Sequence, residues 1–165
     1  MTDENLTAQR RIDAPPSTVF AVLVDPANHA AIDGTGWVRG PLQAGVRITA
    51  EGEVFDMAMF HPQHPDGDYE IANRVVVFEP PDAIGWEPGF YVEDGQRDSG
   101  RWTWRYDLAE VDGQTDVTLT YDWSNATPEA RDRFQFPPFG VAKLTESLDN
   151  LATLDEVHLG QRHDP

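Results

Sequence analysis

Arg74 is the side chain in this 165-residue sequence whose type and position bear most directly on chemistry. By strand alternation it shares a face with Ala72, Val76 and Phe78, and Phe78 faces the core if the turn at Pro80-Pro81-Asp82 pairs it with Ile84. A guanidinium on that face is buried and needs an acceptor, such as a carboxylate, carbonyl or enolate oxygen of a ligand. Arg74 would then orient a substrate or stabilise developing negative charge. A β-bulge in the same strand would reverse the parity and send Arg74 to solvent. Both registers are open. Arg10 poses the same question in the first strand, where a place near a sheet edge favours solvent.

Tyr106, Tyr121 and Asp122 are acid or base candidates, but alternation sets Asp122 on the opposite face from Tyr121, so no dyad is proposed. The stretch His61-Pro62-Gln63-His64-Pro65-Asp66-Gly67-Asp68 has metal-capable side chains in a proline- and glycine-rich loop that does nothing to fix their convergence. No metal site is expected there. A glycine-rich phosphate loop, a nucleophile elbow and a His-Glu-x-x-His motif are all missing from the sequence. No catalytic residue is assigned and no cofactor is expected.

Apolar rings are the more prominent feature. Trp104, Tyr106, Tyr121 and Trp123 share one face of a hairpin, and Met57 and Met59, or on the opposite parity Phe60, come from an earlier strand. Trp86 lies between these segments, Phe136 and Phe139 precede the last helix, Leu144 and Leu148 lie on it, and Trp37, Phe90 and Tyr91 are placed to form a mouth. Such a set either fills a core, as aromatic stripes in strands usually do, or lines a cavity.

The elements that must position these residues follow from periodicity. Leu6 to Asp13 alternates as a strand and stops at Ala14-Pro15-Pro16; Val19, Phe20, Val22 and Leu23 then give a short helix its buried face. Asp25-Pro26 starts a second short helix over Ala27 to Ile32, ended by Asp33-Gly34-Thr35-Gly36. Turn residues then punctuate extended segments at Trp37–Gly40, Val46–Phe60, Tyr69–Glu79, Ala83–Pro88, Arg101–Val111 and Thr115–Ser124, the last two joined by Asp112-Gly113. Thr127-Pro128-Glu129-Ala130 caps a short helix. A long helix follows to about Leu159, and Val141, Leu144, Leu148, Leu151, Leu154 and Val157 form one stripe on it that must face the sheet. No linker divides the chain, and residues 1–165 are read as one domain.

Twenty-nine acidic against 12 basic side chains give a formal charge of −17, which repels phosphate backbones and anionic membranes, so neither nucleic acid nor membrane insertion is expected. The acids are spread along the chain, as on a solvated surface. The absence of cysteine removes disulfides, thiolate ligands and cysteine nucleophiles together. No apolar run reaches the roughly 20 residues that cross a bilayer, and the start MTDENLTAQ is acidic and polar, so the cytoplasm is the expected compartment.

Specific stretches resemble one superfamily. Ile12-Asp13-Ala14-Pro15-Pro16-Ser17-Thr18-Val19-Phe20-Ala21-Val22-Leu23 resembles the first strand and helix of START-like (SRPBCC) proteins, a group that includes Bet v 1-like and polyketide cyclase/dehydratase-like members. Asp25-Pro26 with Ala27-Asn28-His29 is similar to their second helix, and Val77-Phe78-Glu79-Pro80-Pro81-Asp82-Ala83-Ile84-Gly85-Trp86 to their central hairpin. The resemblance implies an α+β helix-grip fold, in which a curved seven-stranded antiparallel sheet wraps a long C-terminal helix, with two short helices after the first strand. It also implies a cavity between sheet and helix that takes a small hydrophobic ligand, whether lipid-like, polyketide-like or aromatic. An enzyme of the cyclase or dehydratase type using the same cavity is the alternative, and a protein-binding co-regulator with a filled cavity is the third. The motifs are structural punctuation and carry no catalytic residue over.

Overall fold

Asp112 and Gly113 have φ values of +52° and +82°, the conformation a two-residue type I′ hairpin requires. The flanking segments pair accordingly, Trp104 with Tyr121, Tyr106 with Leu119 and Leu108 with Val117. The computed structural model that contains this hairpin describes residues 4–62 and 67–163, with side chains through residue 155. Gln63, His64, Pro65 and Asp66, and the side chain of Val157, lie outside the described residues.

The chain runs through β1 (Asn5–Ile12), α1 (Pro16–Leu23), one 3-10 turn (Pro26–Asn28), α2 (His29–Ile32), β2 (Val38–Pro41), β3 (Val54–Phe60), β4 (Asp68–Glu79) and β5 (Ala83–Glu87). It continues through β6 (Phe90–Tyr91), β7 (Arg97–Asp98), β8 (Thr103–Val111), β9 (Gln114–Asp122), α3 (Pro128–Arg133) and α4 (Val141–His163). Seven strands form one antiparallel sheet in the order β1-β9-β8-β5-β4-β3-β2, and β6 with β7 forms a small separate hairpin. This is the α+β arrangement expected, a large antiparallel sheet with a long C-terminal helix and short helices after the first strand.

Local chemistry sets the helix starts. The Asp25 carboxylate accepts from Ala27 N at 3.1 Å ahead of Pro26, and Thr127 Oγ1 accepts from Ala130 N at 3.1 Å ahead of Pro128. Leu144, Leu148 and Leu151 of α4 are at most 1% exposed and meet Ile12, Val19, Leu23, Ile84, Val117 and Leu119 in one core. Each such side chain contributes about 1.5–3 kcal/mol by burial. The stripe begins one turn later than expected, since Val141 is 47% exposed.

Three expectations are corrected. Val46–Phe60 is not one strand, because Ala50 to Gly52 turns, with Gly52 at φ +93°, and pairing begins at Val54. The second short helix is a 3-10 turn followed by α2. Residues 90–98 form a hairpin that alternation did not reveal, turning at Gly95 with φ +81°.

The decisive irregularity lies in β4. Val75 pairs with Trp86 and Phe78 with Ile84, but the register shifts between Val75 and Val77. Two inward side chains are therefore three positions apart along β4, where an unbroken strand would set them an even number of positions apart. The bulge turns Tyr69, Ile71 and Asn73 inward, opposite Met59, Met57 and Phe55, and turns Arg74 outward between Val54 and Glu87.

Candidate functional site

The concave face of the sheet carries most of the residues singled out from sequence. Met57 is 1% exposed and Met59 8%, while Phe60 points outward beneath Arg39, whose guanidinium carbon sits 4.7 Å from its ring centroid. Tyr106, Tyr121 and Trp123 are buried on the same inner face, and Leu144 and Leu148 cover it from α4. Across β5, β8 and β9, the pairing of Trp86 with Trp104 and of Trp104 with Tyr121 builds a row of three rings.

This face is not closed everywhere. Ile84, Tyr106 and Leu119 are buried, yet Ile71 on β4, Trp86 on β5 and Trp104 on β8 point the same way and keep part of their surface accessible. Their accessible surface marks the part of this face that α4 and the short helices leave uncovered. A separate shallow depression of about 270 Å³ opens at the sheet edge beside Arg39, Ala58, Met59, Asp68, Tyr69 and Glu70. It falls short of the roughly 300 Å³ or more of ligand sites and lies outside the ring cluster.

Two loops meet over these rings. Phe139, just before α4, packs on Tyr121 at 5.0 Å, on Trp104 at 5.5 Å and on Trp37 at 5.8 Å between centroids. Trp37 is held by a knot on Asp33, whose carboxylate accepts from Trp37 N and Val38 N at 2.9 Å each and from Thr35 Oγ1 at 2.7 Å. The loop after α2 is fixed to α4 in turn. Gly34 N donates to Ser147 Oγ at 2.8 Å and Asn150 Nδ2 to the Ile32 carbonyl at 3.1 Å. Phe136 rests on Trp102, 5.6 Å away, and His61 packs on Trp37 at 4.6 Å.

The polar groups at the back of the site were not foreseen. His29 stacks on Trp86 and meets Phe55 edge-on. Its Nε2–H donates to the Leu23 carbonyl at 2.8 Å, which leaves Nδ1 as an acceptor. Burial lowers the pKa of His29, although the Leu23 hydrogen bond and the carboxylates of Asp25 and Asp33 oppose the shift. Asn73, 3% exposed and paired across the strands with Phe55, has a side-chain oxygen with no hydrogen-bond partner among the described residues. Burial raises the pKa of Tyr106, with Asp33 adding to it, and burial alone raises that of Tyr121. Both remain phenols near neutrality, able to donate a hydrogen bond but poor as bases.

Three expected liners lie elsewhere. Arg74 is exposed on the outer face, so it cannot meet a molecule on the inner one. Tyr91 is 55% exposed and donates to Asp56 Oδ1 at 3.1 Å on that same outer face. Phe90, half-buried beside it in β6, is not part of the core cluster. Their hairpin is pinned against β4 and β5 by Arg97, which pairs with Glu87 at 3.2 Å and donates to the Ala72 carbonyl at 3.0 Å. Arg10 reaches Asp149 of α4 at 3.0 Å on the rim. Among the described residues no group of three or more His, Asp or Glu is placed to hold a metal ion, and no helix is long and apolar enough to cross a membrane.

Comparison with known proteins agrees with this architecture. The model of the family described as Activator of Hsp90 ATPase homolog 1-like protein matches residues 13–155. Protein Rv0088 of Mycobacterium tuberculosis is 28% identical over 115 residues, 70% of this chain and 46% of that protein, so the match spans about half the relative's length. Protein NE0264 from Nitrosomonas europaea superposes with a TM-score of 0.69 at 15% identity, covering 97% of this chain and 99% of that one. The Polyketide_cyc-like protein Cgl2372 from Corynebacterium glutamicum gives 0.59 at 18% identity, over 99% and 98%. The AHSA1-like protein from Aeromonas hydrophila gives 0.58 at 18%, over 98% and 97%. With a family model matched over most of its length, the chain belongs to the Activator of Hsp90 ATPase homolog 1-like family, within the SRPBCC (Bet v 1-like) superfamily.

Proposed function

We propose that this protein binds a small hydrophobic molecule between the concave face of the sheet and α4. The observation that carries this reading is the accessible surface left on Ile71, Trp86 and Trp104, three inward side chains of interior strands. Their neighbours Ile84, Leu119, Leu144 and Leu148 are buried. Apolar burial supplies the affinity, Phe139 and Trp37 close the mouth, and the few polar groups at the back select orientation. The ligand is lipid-like, polyketide-like or aromatic, and binding needs neither metal nor nucleotide. A cytoplasmic location goes with this reading and is tested by cell fractionation. Titration with Nile red, an uncharged dye that brightens in apolar surroundings, tests the binding. A saturable rise that Leu148→Glu abolishes in the folded variant supports the reading, and no rise with wild-type protein ends it.

An enzyme of the cyclase or dehydratase type would use the same space with Arg74 or a tyrosine assisting proton movement; Arg74 lies on the other side of the sheet, while Tyr106 and Tyr121 are on the inner face. Protein binding is favoured by a different observation. Leu42, Val54 and Tyr91 are exposed apolar side chains gathered around Asp56, whose carbonyl accepts from Leu42 N and whose carboxylate accepts from Tyr91. Loss of a partner on Tyr91→Asp, with Nile red uptake unchanged, would assign that face a role of its own.

A further inference from the structure

We propose that the outer face around Asp56 docks a basic amphipathic segment of a partner protein, whose apolar side chains cover Leu42, Val54 and Tyr91 and whose lysines or arginines meet the acidic residues around them. The proposal rests on the protein-binding reading above, names the chemistry of the partner, and is independent of the hydrophobic ligand.

Val54 and Asp56 point outward on β3, because Phe55 and Met57, which alternate with them, are buried on the inner face. Tyr91 reaches them from the small hairpin, where its hydroxyl donates to Asp56 Oδ1 at 3.1 Å. The hairpin is fixed in turn. Arg97 pairs with Glu87 and donates to the carbonyl of Ala72, the cross-strand partner of Asp56. Leu42, just after β2, is held by its N–H to the Asp56 carbonyl at 3.0 Å. Leu42, Val54 and Tyr91 are all exposed, and so is Val92 beside Tyr91. One ring and two aliphatic side chains thus stand in solvent on an ordered scaffold, so covering them costs little conformational entropy. The other exposed large apolar side chains among the described residues, Phe134 and Val141, lie after α3 and at the start of α4.

Charge selects the partner. Glu53 precedes Val54, Glu70 lies on the outer face diagonal to Asp56, and Glu93 and Asp94 follow Val92 in the hairpin turn, all of them exposed. Asp56 adds a carboxylate between the apolar side chains. Against these stands Arg74, the cross-strand partner of Val54, while the charge of Arg97 is already matched by Glu87. The whole chain carries a formal charge of −17, so the field at this face is negative. An acidic partner or an anionic lipid surface is repelled, and a second copy of this chain brings like charges together. A segment with apolar side chains on one face and lysine or arginine on its flanks matches both the apolar centre and the acidic rim.

The test titrates the full chain with two synthetic peptides, followed by two-dimensional NMR. One is an amphipathic helix of leucine and lysine, and the other has the same pattern with glutamate in place of lysine. The leucine–lysine peptide should shift the backbone amides of Leu42, Val54, Tyr91 and Val92, with affinity at least about tenfold above the glutamate peptide and falling as salt rises. Tyr91→Ser and Val54→Ser should each weaken it by about fivefold or more, and Val141→Ser on α4 should leave it unchanged. The comparison of peptides on the wild-type chain stands even if a variant fails to fold. Wild-type affinity in folded Tyr91→Ser, or shifts spread over the acidic surface without this face, overturn the proposal. Tighter binding of the glutamate peptide at this face overturns it too, but leaves the protein-binding reading standing. No shift at this face with either peptide removes both.

Discussion

The imidazole of His29 lies flat on the indole of Trp86, with ring centroids 5.0 Å apart and planes 16° from parallel. The contact depends on a neutral ring, because the Leu23 carbonyl takes the Nε2–H and burial disfavours a second proton. With the folded-state pKa below 6.5, the unfolded chain binds the proton first as pH falls. The contribution of neutral His29 is therefore whole above about pH 7 and is lost as pH drops from about 6.5 toward the folded pKa. Urea midpoints measured between about pH 8 and 5 should decline, and His29→Phe, which keeps a ring on Trp86, should decline less. Equal slopes would mean that His29 titrates as a free histidine.

Gly34 has no room for a side chain. A Cβ there would sit 2.5 Å from the Lys143 carbonyl oxygen and 3.0 Å from Ser147 N, both backbone atoms of α4. Gly34→Ala should push the loop off the helix and cost about 1–3 kcal/mol in urea unfolding. A loss under about 0.5 kcal/mol would show that the two elements are not fixed to each other.

Arg74→Ala tests the bulge. With the guanidinium on the outer face, the substitution should change stability by less than about 0.5 kcal/mol and leave Nile red affinity as it was. A marked change in dye affinity would put Arg74 back on the inner face.

Those parts of the fold whose periodicity runs unbroken were legible in the sequence. The alternation of Trp104, Tyr106 and Leu108 against Val117, Leu119 and Tyr121, with Asp112-Gly113 between, led directly to the hairpin, and the leucine stripe led to the covering helix. The bulge was hidden because Val75, Val76 and Val77 are identical and give no polarity to say which side is in. Arg74 and Asn73 exchange faces on that one shift. His29 shares a helical face with Ile32, which was the available signal, but a lone histidine on a four-residue helix does not reveal that it will meet Trp86. Tyr91 was misplaced because its hairpin folds against the outer face.

Phe139→Ala should open the mouth. Removing the ring that touches Trp37, Trp104 and Tyr121 exposes indole to solvent, so tryptophan emission should shift to longer wavelength and acrylamide quenching should rise. The fold should persist, because Phe139 is only half-buried. Unchanged emission would mean that Phe139 does not cover the site.

The central claim is that ligand lies against Trp86 and Trp104, and the indole N–H signals of the protein in two-dimensional NMR, assigned by single Trp→Phe replacements, test it directly. On titration with 1-decanol the account predicts saturable shifts of the Trp86 and Trp104 signals, with the backbone amides of Tyr91 and Val92 on the outer face unmoved. Shifts confined to the outer face, or none at all at saturating decanol, would contradict it.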